Sequence, residues 1–367
     1  MQGKHQIKEV IQALGSKIDN LGLNTWQLRT LSAIKHCRTK QMGGRIAQCD
    51  TCGKKHLFYN SCRNRHCPSC QGHKREEWIQ ARESELLPVP YYHVVFTIPS
   101  ELNTLALHQP KALYAVLFKT AWATLMQFGK TKGLQLGMIS VLHTWGQNLS
   151  LHPHLHCIVP SLGLDKNGKP KRAGKNKKFL YSVKAMSKVF RAKFVSELRL
   201  QQLGSQDLYN QLFSKSWVVY AKKPFGSPKS VIEYLGRYTH KIAISNHRIK
   251  SITEKHVSFS YKDYKSKAKT KLMRLTHQEF VRRFSQHILP KRFIRIRHYG
   301  ILSSTHKRKK LPDLQKTLGL KSQLKHKPKT LNDTCPTCKK GRLKIVLEFD
   351  SRGPPALSLI DLKDVAF

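Results

Sequence analysis

Two cysteine pairs near the start of this chain limit what it can fold into. Cys49-Asp-Thr-Cys52 and Cys67-Pro-Ser-Cys70 both have C-x-x-C spacing, in a segment with few apolar residues from which to build a core. Each pair offers two thiolates at a spacing suited to tetrahedral zinc, and two pairs complete four ligands. The sequence therefore predicts a structural zinc ion bound by Cys49, Cys52, Cys67 and Cys70, with a small fold built around it.

The other cysteines leave several arrangements open. Cys37 and Cys62 could bind a second zinc ion together with His66, or they could remain unligated thiols. Cys335-Pro-Thr-Cys338 is half of a site, which could be completed by His306 or His326 or bind nothing. The chain has nine cysteines, and six of them lie between residues 37 and 70 among histidines. Zinc in a reducing cytoplasm explains this pattern better than disulfides do.

The charge of the chain points to a polyanionic partner. The chain has 67 Lys and Arg residues and 21 Asp and Glu residues, which give a formal net charge of +46. Self-repulsion of that size opposes compact folding unless a polyanion neutralises it, and nucleic acid is the usual partner. A ribosomal-type or membrane-surface protein is the alternative. Apolar runs stay well below the ~18 residues of a transmembrane helix, so no membrane span is expected. DNA contact is predicted for the basic residues beside the second cysteine pair: Arg63, Arg65, Lys74 and Arg75.

The pattern of apolar residues predicts an α+β fold. Strand patterns at 91–98, 137–143 and 154–159 occur with a helical pattern at 110–128, between the first two strands, and another at 183–203, after the third. No glycine-rich turn leads from a strand into a helix, so a mostly antiparallel sheet is favoured over a doubly wound parallel one. We expect a helical N-terminal segment, a zinc-binding domain, a large α+β domain and a basic tail with a C-x-x-C half-site. Their predicted ranges are 1–36, 37–88, 89–302 and 303–367.

His154 and His156 are predicted to bind a metal ion together. Residues i and i+2 of a strand point to the same face of the sheet, so both imidazoles can reach one ion. The third ligand must come from the same strand end, and Gln147, His143 and His152 are the candidates. Neutral ligands leave a divalent ion its full charge for polarising phosphate oxygens, which suits Mg²⁺ or Mn²⁺. A structural zinc ion is less suited to these residues because the group has no thiolate.

Tyr234 and Tyr238 are four residues apart in a predicted helix that begins at Ser227-Pro228. Positions i and i+4 lie on one helix face, so both phenols can face one site. The reference pKa of tyrosine is about 10, so a nucleophilic phenolate needs nearby cations. Arg237 and Lys241 could provide them and could also contact DNA. Ordinary helix packing is the alternative explanation of the tyrosine pair.

Taken together, these motifs resemble the HUH-endonuclease rolling-circle transposases of the insertion sequence 91 family, over about residues 37–300. The resemblance lies in several stretches that occur in the order typical of that family: Cys62 to Cys70 (CRNRHCPSC), His143 to Gln147 (HTWGQ), His152 to His156 (HPHLH), Tyr234 to His240 (YLGRYTH), Phe280 to Arg283, His287 to Pro290 and Ile294 to Gly300.

The resemblance implies an N-terminal zinc-binding domain and a HUH-type catalytic domain with a central antiparallel β-sheet flanked by helices. It implies that His154 and His156 bind the catalytic metal, and comparison with related eukaryotic enzymes makes Gln147 the expected third ligand. A tyrosine of such an enzyme attacks single-stranded DNA at the element end, forming a 5′-phosphotyrosine. Tyr238 is ranked first of the two because it lies nearer the Thr-His-Lys cluster. A second tyrosine permits a second transfer, and the order in which Tyr234 and Tyr238 act stays open.

The implied partners are single-stranded DNA and the element ends. The sequence lacks the nucleotide-binding pattern of a helicase, so host replication or helicase proteins would unwind the DNA. The expected location is the bacterial cytoplasm, in association with the nucleoid. Two other functions fit parts of the pattern. A plasmid replication initiator or relaxase would use the same chemistry, and a non-enzymatic zinc-finger regulator would explain the charge and cysteines but not the histidine and tyrosine pairs.

Overall fold

The computed structural model describes residues 5–71, 79, 84–174, 180–222, 231, 236, 242–264, 266–319, 333–353 and 365–366. Over these ranges the chain is α+β, with a central antiparallel sheet, as the sequence predicts. Within them, no helix has the length and apolar character needed to cross a membrane.

Several helices begin at a side-chain cap. The side chain of Asn24 accepts a hydrogen bond from the backbone of Gln27, and Ser182 accepts one from Ala185. In chain order the helices are α1 (Ile7–Leu14), α2 (Thr25–Lys35), α3 (Asn103–His108), α4 (Pro110–Lys130), α5 (Val183–Leu200), α6 (Gln206–Ser214), α7 (His277–Ser285), α8 (Ser304–Lys309) and α9 (Leu311–Thr317).

Within the described ranges the strands form four sheets. In chain order they are β1 (Gly44–Cys49), β2 (Lys55–Tyr59), β3 (Tyr91–Thr97), β4 (Gly137–Trp145), β5 (Leu151–Pro160), β6 (Leu162–Leu164), β7 (Pro170–Arg172), β8 (Val219–Lys222), β9 (Ile249–Ile252), β10 (His256–Asp263), β11 (Lys269–Thr276), β12 (Ile296–Gly300), β13 (Leu343–Phe349) and β14 (Val365–Ala366).

The chain forms two compact units, and neither is continuous in sequence. One consists of residues 1–74, 244–285 and 327–367, and the other of 75–243 and 286–326. We call them the cysteine unit and the sheet unit. This division differs from the sequential domains expected from the sequence. The range 303–319 forms α8 and α9 in the sheet unit, whereas 333–353 belongs to the cysteine unit. The range expected to form one basic tail is therefore divided between the two units.

The sheet unit is built on five antiparallel strands in the order β12-β4-β5-β3-β8. One face packs against α4 and α5 through a core that includes Phe96, Leu155 and Phe190. The other face carries a second apolar cluster with Tyr91, Ile139 and others from α8–α9 and the segments around them. Because side chains alternate between the faces of a strand, His154 and His156 lie on this second face.

The cysteine unit contains two smaller sheets. Strands β13-β1-β2-β14 form one of them, in which β13, β1 and β2 are antiparallel and β14 is parallel to β2. Strands β11-β10-β9 form the other, and Phe259 on β10 meets Phe280 on α7 with ring centroids 5.7 Å apart. Helix α1 buries its apolar side against α2 and α7. The cysteine unit thus combines two small sheets with an apolar core around α1, α2 and α7.

Candidate active site

Three histidines converge on the β4–β5 hairpin. His143 lies directly opposite His154 in the antiparallel register, and His156 follows two residues later on β5. Opposed residues in an antiparallel pair share a face, so all three rings lie on one side of the sheet. One ring nitrogen from each lies within 4.8 Å of the others, and the described residues contain no fourth His, Cys, Asp or Glu in this group. The three imidazoles can share one metal ion.

Hydrogen bonds set the orientation of two of the rings. Nδ1 of His154 donates to the carbonyl oxygen of His152 at 2.6 Å. Nδ1 of His156 lies 2.9 Å from Nε2 of His93, which is buried on the neighbouring strand β3. With Nδ1 engaged in this way, Nε2 is the atom that each ring could offer to a metal ion. A hydrogen bond to the second nitrogen of a metal-binding imidazole is the usual means of holding its tautomer and angle.

The three candidates for the third ligand, His143, His152 and Gln147, lie at different positions relative to His154 and His156. His143 is the sequence candidate that the structure groups with His154 and His156. His152 is outside the group, with its ring 5.2 Å from that of His154. Gln147 lies half-buried in the turn between β4 and β5 and has contacts of its own. Its role as third ligand therefore remains a prediction, alongside His143.

A buried histidine connects the two sides of this turn. Nε2 of His287 donates to the carbonyl oxygen of Leu149 at 3.2 Å, and Nδ1 lies 3.2 Å from the hydroxyl of Thr144, beside His143. A carbonyl can only accept, so Nε2 carries the proton and Nδ1 accepts from the threonine. Burial lowers the pKa of His287 to about 4, which keeps the ring neutral. The turn that contains Gln147 is thereby fixed to the end of β4.

Sequence reasoning did not assign roles to His93 and His287. His93 is the polar residue in the otherwise apolar run Tyr91 to Phe96, and that contrast is the signal that could have identified it. His287 carried no such local signal, because its partners lie more than 130 residues earlier in the chain. Its environment depends on tertiary packing alone.

The cysteines form two clusters, grouped differently from the sequence prediction. Cys49 and Cys52 do not share a site with Cys67 and Cys70. The two groups, each with sulfurs within 4.8 Å of one another, are Cys37, Cys62, Cys67 and Cys70, and Cys49, Cys52, Cys335 and Cys338. We call them the first and the second cysteine cluster. C-x-x-C spacing determines how two thiols meet but not which other pair they join, and pairing of β1 with β13 decides it here.

The first cluster fits a zinc ion closely. Sulfur–sulfur distances are 3.5 Å for Cys37–Cys70 and 3.7 Å for Cys62–Cys70. Four thiolates at about 2.3 Å from zinc have sulfurs about 3.8 Å apart, far more than the ~2.05 Å of a disulfide. The pKa of Cys37 is lowered to about 7, because the thiols of Cys62 and Cys67 donate to its sulfur. His66 belongs to neither cluster, and its Nε2 accepts a hydrogen bond from Nε of Arg65 at 3.3 Å.

The predicted DNA-binding and nucleophilic residues are only partly described. Arg63 is exposed on the loop between Cys62 and Cys67, with a left-handed backbone (φ 50°). Arg65 is half-buried on the same loop, and burial lowers the pKa of its guanidinium. The remaining predicted residues lie outside the described residues: Tyr234, Tyr238, Lys74, Arg75, Arg237 and Lys241.

Comparisons with known proteins agree with these features. A family model described as "Putative transposase" matches residues 137–310, and one described as "Transposase zinc-binding domain" matches residues 7–98. The chain is similar to "Putative transposase y4qJ" of Sinorhizobium fredii (strain NBRC 101917 / NGR234), with 36% identity over 387 aligned positions covering 95% of this chain and 97% of the relative.

A second relative is "Transposase for insertion sequence element IS801" of Pseudomonas savastanoi pv. phaseolicola, 28% identical over 77% of this chain and 72% of the relative. No solved structure matches the chain. The matched ranges contain the histidine hairpin and the first cysteine cluster, so geometry and similarity point the same way. The chain belongs to the insertion sequence 91 family of transposases and has the N-terminal zinc-binding domain of that family.

Proposed function

We propose that this transposase nicks and rejoins single-stranded DNA at the ends of its element by metal-assisted tyrosine attack, in rolling-circle transposition. The observation that supports this most directly is the convergence of His143, His154 and His156 on one face of the central sheet. A neutral three-histidine site on a rigid sheet suits polarisation of a phosphodiester. A purely DNA-binding regulator would have no use for it.

The donor set bears on which metal the site would hold. When bound, Mg²⁺ or Mn²⁺ would withdraw charge from the scissile phosphate. Imidazole nitrogen is a softer ligand than oxygen, so three histidines favour Mn²⁺, whereas an oxygen from Gln147 would improve the fit to Mg²⁺. The identity of the third ligand and the preferred metal are therefore a single question.

Tyr234 and Tyr238 are the proposed nucleophiles, with Tyr238 ranked first. The tyrosine oxygen attacks phosphorus, the bond from phosphorus to the 3′ oxygen breaks, and the leaving oxygen ends protonated. The products are a 5′-phosphotyrosine and a free 3′-hydroxyl. Arg237 and Lys241, which neighbour Tyr238 in sequence, would favour the phenolate and neutralise the DNA backbone.

The zinc-binding domain would supply DNA contact. The first cysteine cluster would hold a structural zinc ion and so fix the loop that exposes Arg63, with Arg65, Lys74 and Arg75 nearby in sequence. Phosphate contacts position a protein on DNA without reading its sequence, so element ends would be recognised through strand features as well. Host proteins would separate the strands, and the bacterial nucleoid would be the place of action.

The test is formation of a covalent protein–DNA adduct. The full-length protein is incubated with single-stranded DNA of the element end and Mg²⁺ or Mn²⁺. We expect an adduct from the wild type and none from the Tyr234→Phe, Tyr238→Phe double variant. Tyr264→Phe is the matched control, because Tyr264 is 70% exposed and lies in the cysteine unit. An adduct that persists in the double variant would refute the nucleophile assignment.

A metal titration tests the third ligand in the same assay. His143→Ala should weaken activation by Mn²⁺ by about 100-fold or more if His143 is the ligand, since losing even a supporting partner of a metal ligand costs 10–100-fold. Gln147→Ala should then alter activation by less than that. The reverse result would assign Gln147 and favour Mg²⁺.

A further inference from the structure

The second cysteine cluster joins two segments that are far apart in sequence. Cys52 and Cys335 are 283 residues apart, yet their sulfurs lie 3.8 Å apart, and those of Cys49 and Cys338 lie 3.7 Å apart. Both distances match the ~3.8 Å edge of a zinc–tetrathiolate tetrahedron. Both are too long for a disulfide of ~2.05 Å. Four sulfurs within 4.8 Å of one another complete the ligand set of a closed structural site.

The two cysteine pairs have the same backbone shape. The residue after the second cysteine is left-handed in each, with φ 69° at Gly53 and 59° at Lys339. That residue donates its backbone N–H to the carbonyl of the first cysteine, at 3.1 Å for Gly53 and 2.9 Å for Lys339. Two equivalent knuckles that face each other with all four sulfurs together form the geometry of a zinc ribbon.

Backbone and side-chain donors point at the sulfurs. The N–H groups of Thr51 and Cys52 both lie 3.4 Å from Sγ of Cys49, and that of Gly341 lies 3.3 Å from Sγ of Cys338. Nε2 of the buried His56 lies 3.4 Å from Sγ of Cys335. Donors of this kind stabilise thiolate charge around a metal and orient its ligands.

The knuckle at 335–338 is fitted against β1. The backbone of Asp50 donates to the carbonyl of Arg342 at 3.0 Å, and the Asp50 carboxylate accepts from the Arg342 backbone at 2.8 Å. A Cβ on Gly341 would come within 2.4 Å of Sγ of Cys49, so a glycine is required there. Two hydrogen bonds and one close approach therefore fix the position of the segment around Cys335 and Cys338 against the end of β1.

We propose that Cys49, Cys52, Cys335 and Cys338 bind a second structural zinc ion, which ties the segment 333–353 to the zinc-binding domain. The family models end at residues 98 and 310, so neither includes Cys335 and Cys338. The site adds a metal-held strand, β13, to the edge of β1. It goes beyond the proposed DNA chemistry and does not depend on the tyrosines or the histidines.

Zinc content of the full-length protein tests the proposal. Cys335→Ser with Cys338→Ser should lose one zinc ion per chain relative to the wild type, and so should Cys49→Ser with Cys52→Ser. The quadruple variant should also lose one ion and not two, because the four residues share it. Cys157→Ser is the control, since Cys157 is buried in the sheet unit and should leave the count unchanged. An unchanged count in the first variant, or loss of two ions from the quadruple variant, would overturn the proposal.

Alkylation of the unmodified protein gives a second readout that does not rely on variants folding. Zinc-bound thiolates resist alkylation, so Cys49, Cys52, Cys335 and Cys338 should become reactive together as a chelator removes zinc. Reactivity of Cys335 and Cys338 before chelation, with Cys49 and Cys52 still protected, would refute a shared ion.

Discussion

The histidine site and the second cysteine cluster place their ligands in opposite ways. His143, His154 and His156 come from 14 residues of one hairpin, and main-chain hydrogen bonds of the sheet position them whether or not a metal is present. The second cluster brings together residues 49 and 338, which are 289 residues apart in the sequence. A metal at the histidine site would therefore serve chemistry on a preformed fold, whereas zinc at the second cysteine cluster would be part of the fold itself.

Chelation of zinc should produce the largest effect and separate the two regions. Binding of a structural zinc ion contributes on the order of 10 kcal/mol to folding, so strands β1 and β2 should lose protection from hydrogen exchange when zinc is removed. Strands β4 and β5 should keep theirs, because buried apolar residues surround them on both faces of the sheet. Equal loss of protection in both regions would show that the histidine site also depends on zinc for its fold.

Substitution at the histidine site should have the opposite effect to zinc chelation: metal activation should fall while the fold stays stable. His154→Ala removes a proposed ligand that donates a hydrogen bond to the carbonyl oxygen of His152, a near neighbour in sequence. We expect at least about 100-fold weaker metal activation of the DNA adduct, with a change in the free energy of unfolding below about 1 kcal/mol. Adduct assays and urea denaturation check the two parts. A loss of several kcal/mol in stability would mean that His154 is structural.

Acid should weaken the sheet unit through His287. Its folded-state pKa of about 4 lies below the ordinary value of 6.5, so the unfolded chain binds a proton first as pH falls. The stabilisation is complete above about pH 6.5 and is lost as pH falls towards 4, by about 3 kcal/mol at most. Urea denaturation across this range measures the slope. His287→Gln should flatten it, whereas His108→Gln, at an exposed helix end, should leave it unchanged.

A surface ion pair in the cysteine unit should contribute least to the free energy of unfolding. Hydrogen bonds from Arg282, and then from Arg283, lower the pKa of Glu279 to about 2 on α7. The group is largely exposed, so solvent screening limits its contribution to less than about 1 kcal/mol. This stabilisation is present above about pH 4.5 and is lost as pH falls towards 2. Denaturation of Glu279→Gln at pH 7 should show a loss no larger than this, and a larger one would indicate an unrecognised packing role.

The sequence predicted local structure well. The strand patterns at 91–98, 137–143 and 154–159 are decided by neighbours in the chain, and β3, β4 and β5 form at those positions. The α+β class, the antiparallel sheet and the pairing of His154 with His156 on one face follow from the same local rules. His143 stood among three candidates, because the register of β4 against β5 was needed to see that it groups with His154 and His156. The third ligand stays a prediction.

Long-range partners could not be read from spacing. The sequence paired Cys49 and Cys52 with the nearest other knuckle, and the sheet paired them with Cys335 and Cys338 instead. The domain boundaries differ for the same reason, since residues 244–285 return to a unit begun by residues 1–74. Loop closure costs little more for long loops than for short ones, so sequence distance is a weak guide to which partner is chosen.

The separation of the two knuckles has a consequence for synthesis of the protein. A ribosome adds about 5–20 residues per second, so the 283 residues between Cys52 and Cys335 take about 15 to 60 seconds to make. During that interval the nascent chain holds two unpaired knuckle thiols close in sequence to the first cluster, where zinc could be captured by the wrong four sulfurs. With zinc bound as proposed, early closure of Cys37, Cys62, Cys67 and Cys70 would keep Cys49 and Cys52 for the later pair, so the order of emergence from the ribosome would favour the final grouping.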